Sequence, residues 1–584
     1  MDVHRIMHKI KWEHVYLALI VLIIVCFFQY GIRKVCGFSA YPDEFGYWAS
    51  AAKTVGYDWT EVASLGSYYS FGYSLLLMPV LKIFSDGVVA YRAAIAVNMM
   101  LMCVSVLIMY NISFKLFPEI DKVKRVFISG IAVLYPSWIL YMQMTLAEAL
   151  LMFLFLIVVY LFISLFQKPR IMTAIFLAIV LMYSYCVHMR TIGVVIASLA
   201  VLLLWGITNP AMKKPIIILL GVVAIAGLTV LFIKRNVILS VFPDADSETL
   251  AANDYASQIV KIRDIFTFAG MKHFIKEIIA KIFYLGIATF GFFYWAMGWC
   301  LKKTAILWKK IIRKRADGCT LTEWIAMFLL LAVIGEVLIC SIFMHNSTLI
   351  DCLVYGRYNE FLVPVLILIG IIVMFKSRWI FCITLFMGAI SGLMLLPIFS
   401  AIEEGNMSRI RGYFIAGISY FLKGEDADPY IFFLEAWIFG LILMIMVAAV
   451  VFFTKKWEKV SWLLGIIIAL EIVLGVQAST KYAYHANRFG FQDLIISEKI
   501  LERKEEDIRV TYLEEGTTPY IDFLQMQLQE IPIHVIRGEI TEQADNLGDF
   551  LIVSYQTEKQ EEIERLYNRH ITANLHTLYY NQAE

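Results

Sequence analysis

Charge is scarce in this chain. Only 17% of its 584 residues are Asp, Glu, Lys or Arg, where ordinary soluble domains carry about a quarter. The formal net charge is +2, so there is no global basic field to attract nucleic acid, and no nucleic-acid partner is expected. The sequence also lacks a glycine-rich phosphate loop, an internal repeat and any cysteine or histidine run at metal-ligand spacing. Its nine cysteines lie mostly inside apolar runs (Cys26, Cys103, Cys186, Cys300, Cys340, Cys382), where they read as small packing residues. Cys36 and Cys352 are both expected outside the membrane, which leaves a disulfide between them open. No small-residue cleavage site follows the first apolar run, 14–32, so that run reads as a signal anchor.

Apolar residues make up 60% of the chain and recur in stretches of about 20, the length that crosses a bilayer as a helix. The pattern predicts an all-α polytopic membrane protein with thirteen transmembrane helices: 14–32, 88–112, 126–141, 147–166, 171–188, 191–207, 216–233, 282–301, 325–344, 359–375, 379–400, 430–453 and 461–479. Lys and Arg alternate from one set of loops to the other. KLFPEIDKVKR, QKPR, NPAMKKP, KKTAILWKKIIRKRADG, KSR and TKKWEKV fall on the side of the N-terminus, and that side is assigned to the cytoplasm. The opposite loops, 33–87, 234–281, 345–358 and 402–429, are longer, acidic and aromatic. Residues 1–480 thus form a membrane module. Residues 481–584 are polar and alternate strand-like segments (IRVTYL, PIHVI, DFLIVSY) with helix-like ones (TTPYIDFLQMQLQ, EKQEEIERLYNRH), which predicts a small extracytoplasmic α/β domain.

The first outer loop opens with SAYPDEFGYWASAA, residues 39–52, where Asp43 and Glu44 precede three aromatic rings. A short helix should follow the pair, and the segment 67–84, which includes Tyr68, is too short for a span and suits the headgroup interface. Two roles are open for the pair. Asp43 after Pro42 can cap a helix whose dipole favours Glu44. Alternatively, a carboxylate at the membrane surface can take a proton from an acceptor hydroxyl or bind a divalent cation.

An acidic pair shortly after the first span, an aromatic helix, a GY…P interfacial segment and AYR near the next span resemble the GT-C superfamily of glycosyltransferases. Protein O-mannosyltransferases and lipid A aminoarabinose transferases are the members it is similar to. The likeness extends to YPSWILYMQMTLAEALLMF, 135–153, with Glu148, and to YGRYNEFLVPVL, 355–366, with Arg357 and Tyr358. The resemblance implies transfer of a sugar from a polyprenyl-phosphate donor to a glycan, lipid or protein acceptor at the outer face, usually with inversion. It implies Asp43 as the base or acceptor-orienting carboxylate, Glu44 as its support, and Glu148 as a ligand of the acceptor or of a metal. Arg357 would pair with the donor phosphate. An arginine there has its own physical warrant, because charge grows on the leaving phosphate; the competing role is an interfacial anchor.

Charged groups in or near spans extend the candidate set. Arg92 stands near the outer end of the second span, facing a cavity or the interface. Arg190 is a second candidate phosphate contact, and the adjacent His188 reads as structural. Glu336 and Glu471 lie deep in the ninth and thirteenth spans, where a protonated, hydrogen-bonded carboxyl is one reading. The loop 234–281 is long enough to cover a site; its Asp244, Asp246 and Glu248 lack calcium-loop spacing and read as solvated. His273 and His345 face outward, and the use of a divalent metal stays open. The alternative to a transferase is a transporter or flippase of lipid-linked sugars, against which stand the missing repeat and the clustering of polar residues on one face. A scaffold function leaves the acidic pair without a purpose.

Overall fold

A segment in lipid must satisfy its own backbone, so the apolar runs become helices. The computed structural model describes residues 11–581 except 41, 246, 248–249, 251–257, 314–317, 425–426, 517–520 and 541–546. Asp246 and Glu248, and the basic Lys314 and Arg315, therefore lie outside the described residues. Among the described residues nine helices are long and apolar enough to cross a membrane, or eleven if two bent pairs each count as one span. The bent pairs are Lys122–Val133 with Pro136–Met142, at 61°, and Phe268–Ala288 with Phe292–Ile312, at 115°. The chain is thus a multi-pass membrane protein, and nine to eleven of the thirteen expected spans are helices long and apolar enough to cross. The other two expected spans are helices of 17 residues, Ile171–Val187, and 14 residues, Val363–Lys376. At about 1.5 Å per residue both fall short of a hydrocarbon core of about 30 Å.

The first outer loop forms the expected short helices, Asp43–Val55 and Ser74–Ile83, with a turn of helix at Thr60–Ala63 between them. The first of these ends at Gly56, whose φ of 103° gives the left-handed cap that a side chain would resist. Its central residues Phe45 to Ala52 are all buried. The helix therefore packs inside the molecule rather than floating in the headgroups.

The last span does not stop at 480. It continues as one apolar helix from Val460 to Leu501, through a wider π turn at Thr480–Tyr484, so the expected boundary of the C-terminal domain falls within a helix. Beyond it stand five strands: β1 Val510–Glu514, β2 Ile533–Arg537, β3 Phe550–Ser554, β4 Arg569–Thr572 and β5 His576–Tyr580. They form one sheet in the order β2-β1-β3-β5-β4. β1 runs parallel to β2 and β3, and β5 antiparallel to β3 and β4. The expected helix in EKQEEIERLYNRH shrinks to Gln560–Ile563. Only Ile563 and Tyr567 of that stretch are buried, too small an apolar stripe to dock a longer helix, and its Arg569 and His570 pair with Tyr580 and Tyr579 instead.

Cys36 and Cys352 are both buried free thiols. The Cys36 thiol lies 3.8 Å from the Asn487 carbonyl, and Cys352 packs with Cys340, Tyr355 and Phe414. The two belong to different packing environments, so the disulfide option is withdrawn.

The sheet domain is tied to the membrane module by specific bonds. Asp493, fully buried, accepts from Asn574 N at 2.9 Å and Leu575 N at 3.0 Å, and its other oxygen meets His576 Nδ1 at 2.8 Å. Glu61 of the first outer loop accepts from Val535 N at 2.6 Å and lies 2.8 Å from His534 Nδ1. The Trp59 indole donates to Gln529 O at 2.7 Å. Asp493→Ala would strand the donors it serves, at a cost of about 3 kcal/mol. We expect faster proteolysis within 508–581 in that variant; unchanged protection would show that Asp493 does not hold the sheet in place.

Candidate active site

Glu44 and Asp43 are neighbours with opposite environments. Glu44 is fully buried. Its Oε1 accepts from Ser39 N at 2.6 Å and Ala40 N at 2.9 Å. Its Oε2 accepts from Thr145 N at 2.6 Å, Thr145 Oγ1 at 2.7 Å and Tyr91 OH at 2.8 Å. Burial pushes this carboxyl up, and the bonds from Thr145, Ser39 and Ala40 oppose the shift. With five donors on two oxygens, Glu44 pins the entry to its helix against the Gly87–Leu116 helix and the turn before Ala147. It has no lone pair left for a substrate.

Asp43, at the N-terminus of the same helix, keeps a side chain 22% exposed. Its Oδ1 accepts from Tyr69 OH at 2.6 Å, and its Oδ2 from Arg357 Nη1 at 2.5 Å. Burial raises the Tyr69 phenol far above its usual range, and the Asp43 charge adds to it, so Tyr69 stays a donor. Arg357 also reaches Glu148, with Nε 2.8 Å from Oε1. Burial works against the charge on Arg357, but Glu148 and Asp43 together hold it firmly protonated. The same Glu148 oxygen accepts from Arg190 Nη2 at 3.0 Å. Glu148 is fully buried, and Arg357 and Arg190 nearly so. Two carboxylates and two guanidiniums thus interlock, drawn from four segments of chain.

Arg190 is not fully used. Its Nε and Nη1 are buried without a protein partner, while its guanidinium lies over the Tyr358 ring at 4.3 Å. Unpaired buried donors are uncommon and mark a place where a ligand group fits. A cavity of about 50 Å³ lies alongside, lined by Asp43, Tyr47, Tyr68, Tyr69, His188 and Arg357 among others. Burial, then the neighbouring Arg190, keeps His188 neutral, well below its usual range. Lys234, from the far end of a long helix, stands over the Tyr68 ring at 5.3 Å.

The sequence candidates therefore divide. Asp43, Arg357, Tyr358 and Tyr68 line this cavity, and Glu148 and Arg190 join them through the ion pair of Glu148 with Arg357. Arg92 stands apart and donates through Nε to the Val35 carbonyl at 3.0 Å. Glu336 accepts from Val194 N at 3.2 Å, whereas neither Glu471 oxygen has a partner. Sequence reading missed Tyr69 and Glu360. Fully buried Glu360 accepts from Tyr135 OH at 3.0 Å and Ser137 Oγ at 2.5 Å, and also from Tyr141 and Tyr284. It fixes the turn that presents Arg357, three residues away. The signal was present: Glu360 belongs to YGRYNE, and three of its donors to YPSWILY.

His273 and His345 do meet carboxylates, but in a hydrogen-bonded set. His345 Nδ1 lies 3.0 Å from Glu277 and Nε2 2.9 Å from Asp264, and His273 Nε2 is 3.4 Å from Glu277. Among the described residues no group of three His, Cys, Asp or Glu has the arrangement to hold a metal ion. Burial works against a charge on His345, but Glu277 and then Asp264 outweigh it and raise its pKa.

No family model matches the sequence, and no curated protein matches it. Solved structures do. ArnT from Cupriavidus metallidurans, bound to undecaprenyl phosphate, aligns at a TM-score of 0.52 and 11% identity, over 97% of this chain and 98% of that one. The chain has the GT-C fold. The oligosaccharyltransferase AglB from Archaeoglobus fulgidus, in complex with an inhibitory peptide and a dolichol-phosphate, aligns more loosely, at 0.47 and 12% identity over 95% and 70% of the two chains. That looser alignment carries no further weight.

Two tests follow from the geometry. Glu44→Ala should destabilise the protein by about 3–5 kcal/mol, because it strands five donors, four of them buried; an unchanged melting temperature would refute the pinning role. The His345 link has a definite sign. Its folded pKa lies above the usual value of about 6.5, so its stabilisation is complete below that pH and fades as pH rises through the raised value. Hydrogen exchange in 258–267 should therefore quicken from pH 6 to 9 in the wild type more than in His345→Gln. Equal pH profiles would remove the link.

Proposed function

We propose that this protein is a glycosyltransferase that moves a sugar from a polyprenyl-phosphate donor, undecaprenyl-phosphate-like, to an acceptor hydroxyl on a glycan, lipid or protein. It does so at the outer face of the cell membrane, with the N-terminus cytoplasmic and the sheet domain extracytoplasmic. The observation that carries this reading is Asp43: a part-exposed carboxylate at a cavity, paired with Arg357, which shares Glu148 with Arg190, in a GT-C fold. The orientation follows from the basic loops opposite it.

In the resting arrangement both Asp43 oxygens are occupied, one by Tyr69 and one by Arg357. A donor phosphate competes with Asp43 for Arg357 Nη1 and offers acceptors to the unpartnered Nε and Nη1 of Arg190. Its arrival releases Oδ2 of Asp43. The acceptor hydroxyl then gives its proton to Asp43, its oxygen bonds to the anomeric carbon, and the bond from that carbon to the phosphate oxygen breaks. The electron pair leaves on the polyprenyl phosphate, where Arg357 and Arg190 meet the growing charge. Attack opposite the leaving group inverts the anomeric centre. Glu148 keeps both guanidiniums aimed, and no step calls on Glu44.

The test is transfer of labelled sugar from polyprenyl-phosphate donors by purified protein. Asp43→Asn should lower transfer by about 10²–10⁴-fold, the usual weight of a positioned base, with donor binding kept. Arg357→Gln should weaken donor binding as well. If no donor is turned over while lipid-linked sugar crosses a reconstituted bilayer, the protein is a flippase and the transferase reading falls.

A further inference from the structure

A second, wide cavity lies near the segment that leads into Asp43. It measures about 1110 Å³ and is bounded by the outer segment 409–424, the extracytoplasmic end of the long Val460–Leu501 helix, and the sheet domain at Tyr555, Asn574 and Leu575. That volume is at or above the upper end for sites that enclose a drug-sized ligand, roughly 300–1,000 Å³. Its inner end is lined by Ser39 and Ala40, the residues whose N–H groups hold Glu44, and by Tyr413. Tyr413 is close enough to Asp43 and Arg357 to feel both charges. Phe414, next to Tyr413, accepts from Arg357 N at 3.0 Å, and Ser39 and Ala40 shortly precede Asp43, so the cavity lies beside the candidate reaction centre.

Its charge is one-sided. Arg409, Arg411, Lys423, Lys481 and Arg488 line it, and no carboxylate among the described residues does. Lys481 is turned to the carbonyls of Ser419 and Leu422. Arg409, Arg411, Lys423 and Arg488 make no ion pair among the described residues. In a chain with a net charge of only +2, five cations around one cavity are a local concentration that the composition does not require. Rings alternate with the cations: Tyr413, Tyr482, His485, Phe489 and Tyr555. Flat rings offer apolar faces to sugar rings, and guanidiniums offer paired donors to phosphate or carboxylate oxygens.

The walls are fixed before any ligand arrives. Segment 408–412 is tied to the chain ahead of Arg357, with Ser408 N donating to Thr348 O at 3.0 Å and Ile350 N to Arg409 O at 3.3 Å. Arg409 itself is held at φ 61°, a left-handed conformation that a side-chain-bearing residue adopts only when its surroundings hold it there. The sheet-domain wall is set by the Asp493 bonds to Asn574 and Leu575, two residues next to or in the lining.

We propose that this basic, ring-lined cavity holds the acceptor, and that the acceptor is an anionic saccharide bearing phosphate or carboxylate groups. The inference rests on the transferase reading, in which the donor phosphate sits at Arg357 and Arg190. The sheet domain then serves as one wall of the acceptor site. A saccharide entering between 409–424 and β5 brings its hydroxyl toward Asp43 while its charges stay among the arginines.

The probe is fluorescently labelled dextran sulfate, with neutral dextran as control and fluorescence anisotropy as readout, on the full chain in detergent. Dextran sulfate should bind, weaken with added salt, and lose about tenfold or more in affinity in Arg409→Gln/Arg411→Gln/Arg488→Gln, since each removed contact is charge-assisted. Neutral dextran should bind far more weakly. Undecaprenyl phosphate binding should be unchanged by the three substitutions. Equal binding of the two dextrans, or of wild type and variant, overturns the proposal. So does a variant that keeps dextran sulfate but loses undecaprenyl phosphate, which would make the cavity the carrier's site. A wild type that binds the polyanion at these arginines yet transfers no sugar retains the anion site and removes the transferase reading, so the two failures read out separately.

Discussion

One guanidinium holds the candidate site together. Arg357 spans Asp43 and Glu148, and Glu148 in turn holds Arg190. In so dry a place a lone charge is intolerable, and each of these groups is acceptable only because the others are present. The arrangement is stable without substrate, yet one contact, Arg357 with Asp43, is of the kind that another anion can replace. A site built on an exchangeable ion pair is stable at rest and open to reaction.

Around that pair the protein invests its buried hydroxyls. Glu44 and Glu360 are carboxylates with no access to solvent, each surrounded by donors from other segments. They sit one residue from Asp43 and three from Arg357. Asp43 and Arg357 therefore each have a fixed carboxylate nearby in the chain that sets the backbone. This division of labour between neighbours is invisible in composition, because the two members of an acidic pair look alike until their partners are known.

Much of the fold was legible because lipid imposes a simple rule on sequence: long apolar runs and alternating basic loops. Hydropathy reports apolarity and not direction, so it did not show that Ile171–Val187 and Val363–Lys376 are short helices or that two further runs are kinked pairs. Asp43, Glu148 and Arg357 were legible through the motifs that carry them, and Arg190 as a charge at the end of a span. Tyr69, Glu360 and the basic wall of Arg409, Arg411 and Arg488 were not. A tyrosine among many tyrosines and an arginine in an outer loop carry no local mark, and only tertiary packing gathers them. β4 and β5 were missed for a related reason: their pairing partners are each other and β3, which no local pattern announces.

The span of chain between Asp43 and Arg357 has a consequence for biogenesis. Contacts between residues so far apart carry a high closure cost and form late. As the polypeptide emerges, the helix bearing Asp43 and Glu44 reaches its side of the membrane long before its partners do. Glu44 finds Tyr91 and Thr145 early, whereas Asp43 must wait for the turn at 357. Trp59 and Glu61 wait longer still for Gln529, His534 and Val535. The nascent chain therefore passes through a stage in which its acidic pair is anchored on one side and unpaired on the other. Completion of the first loop is thereby coupled to formation of the sheet that follows the last long helix.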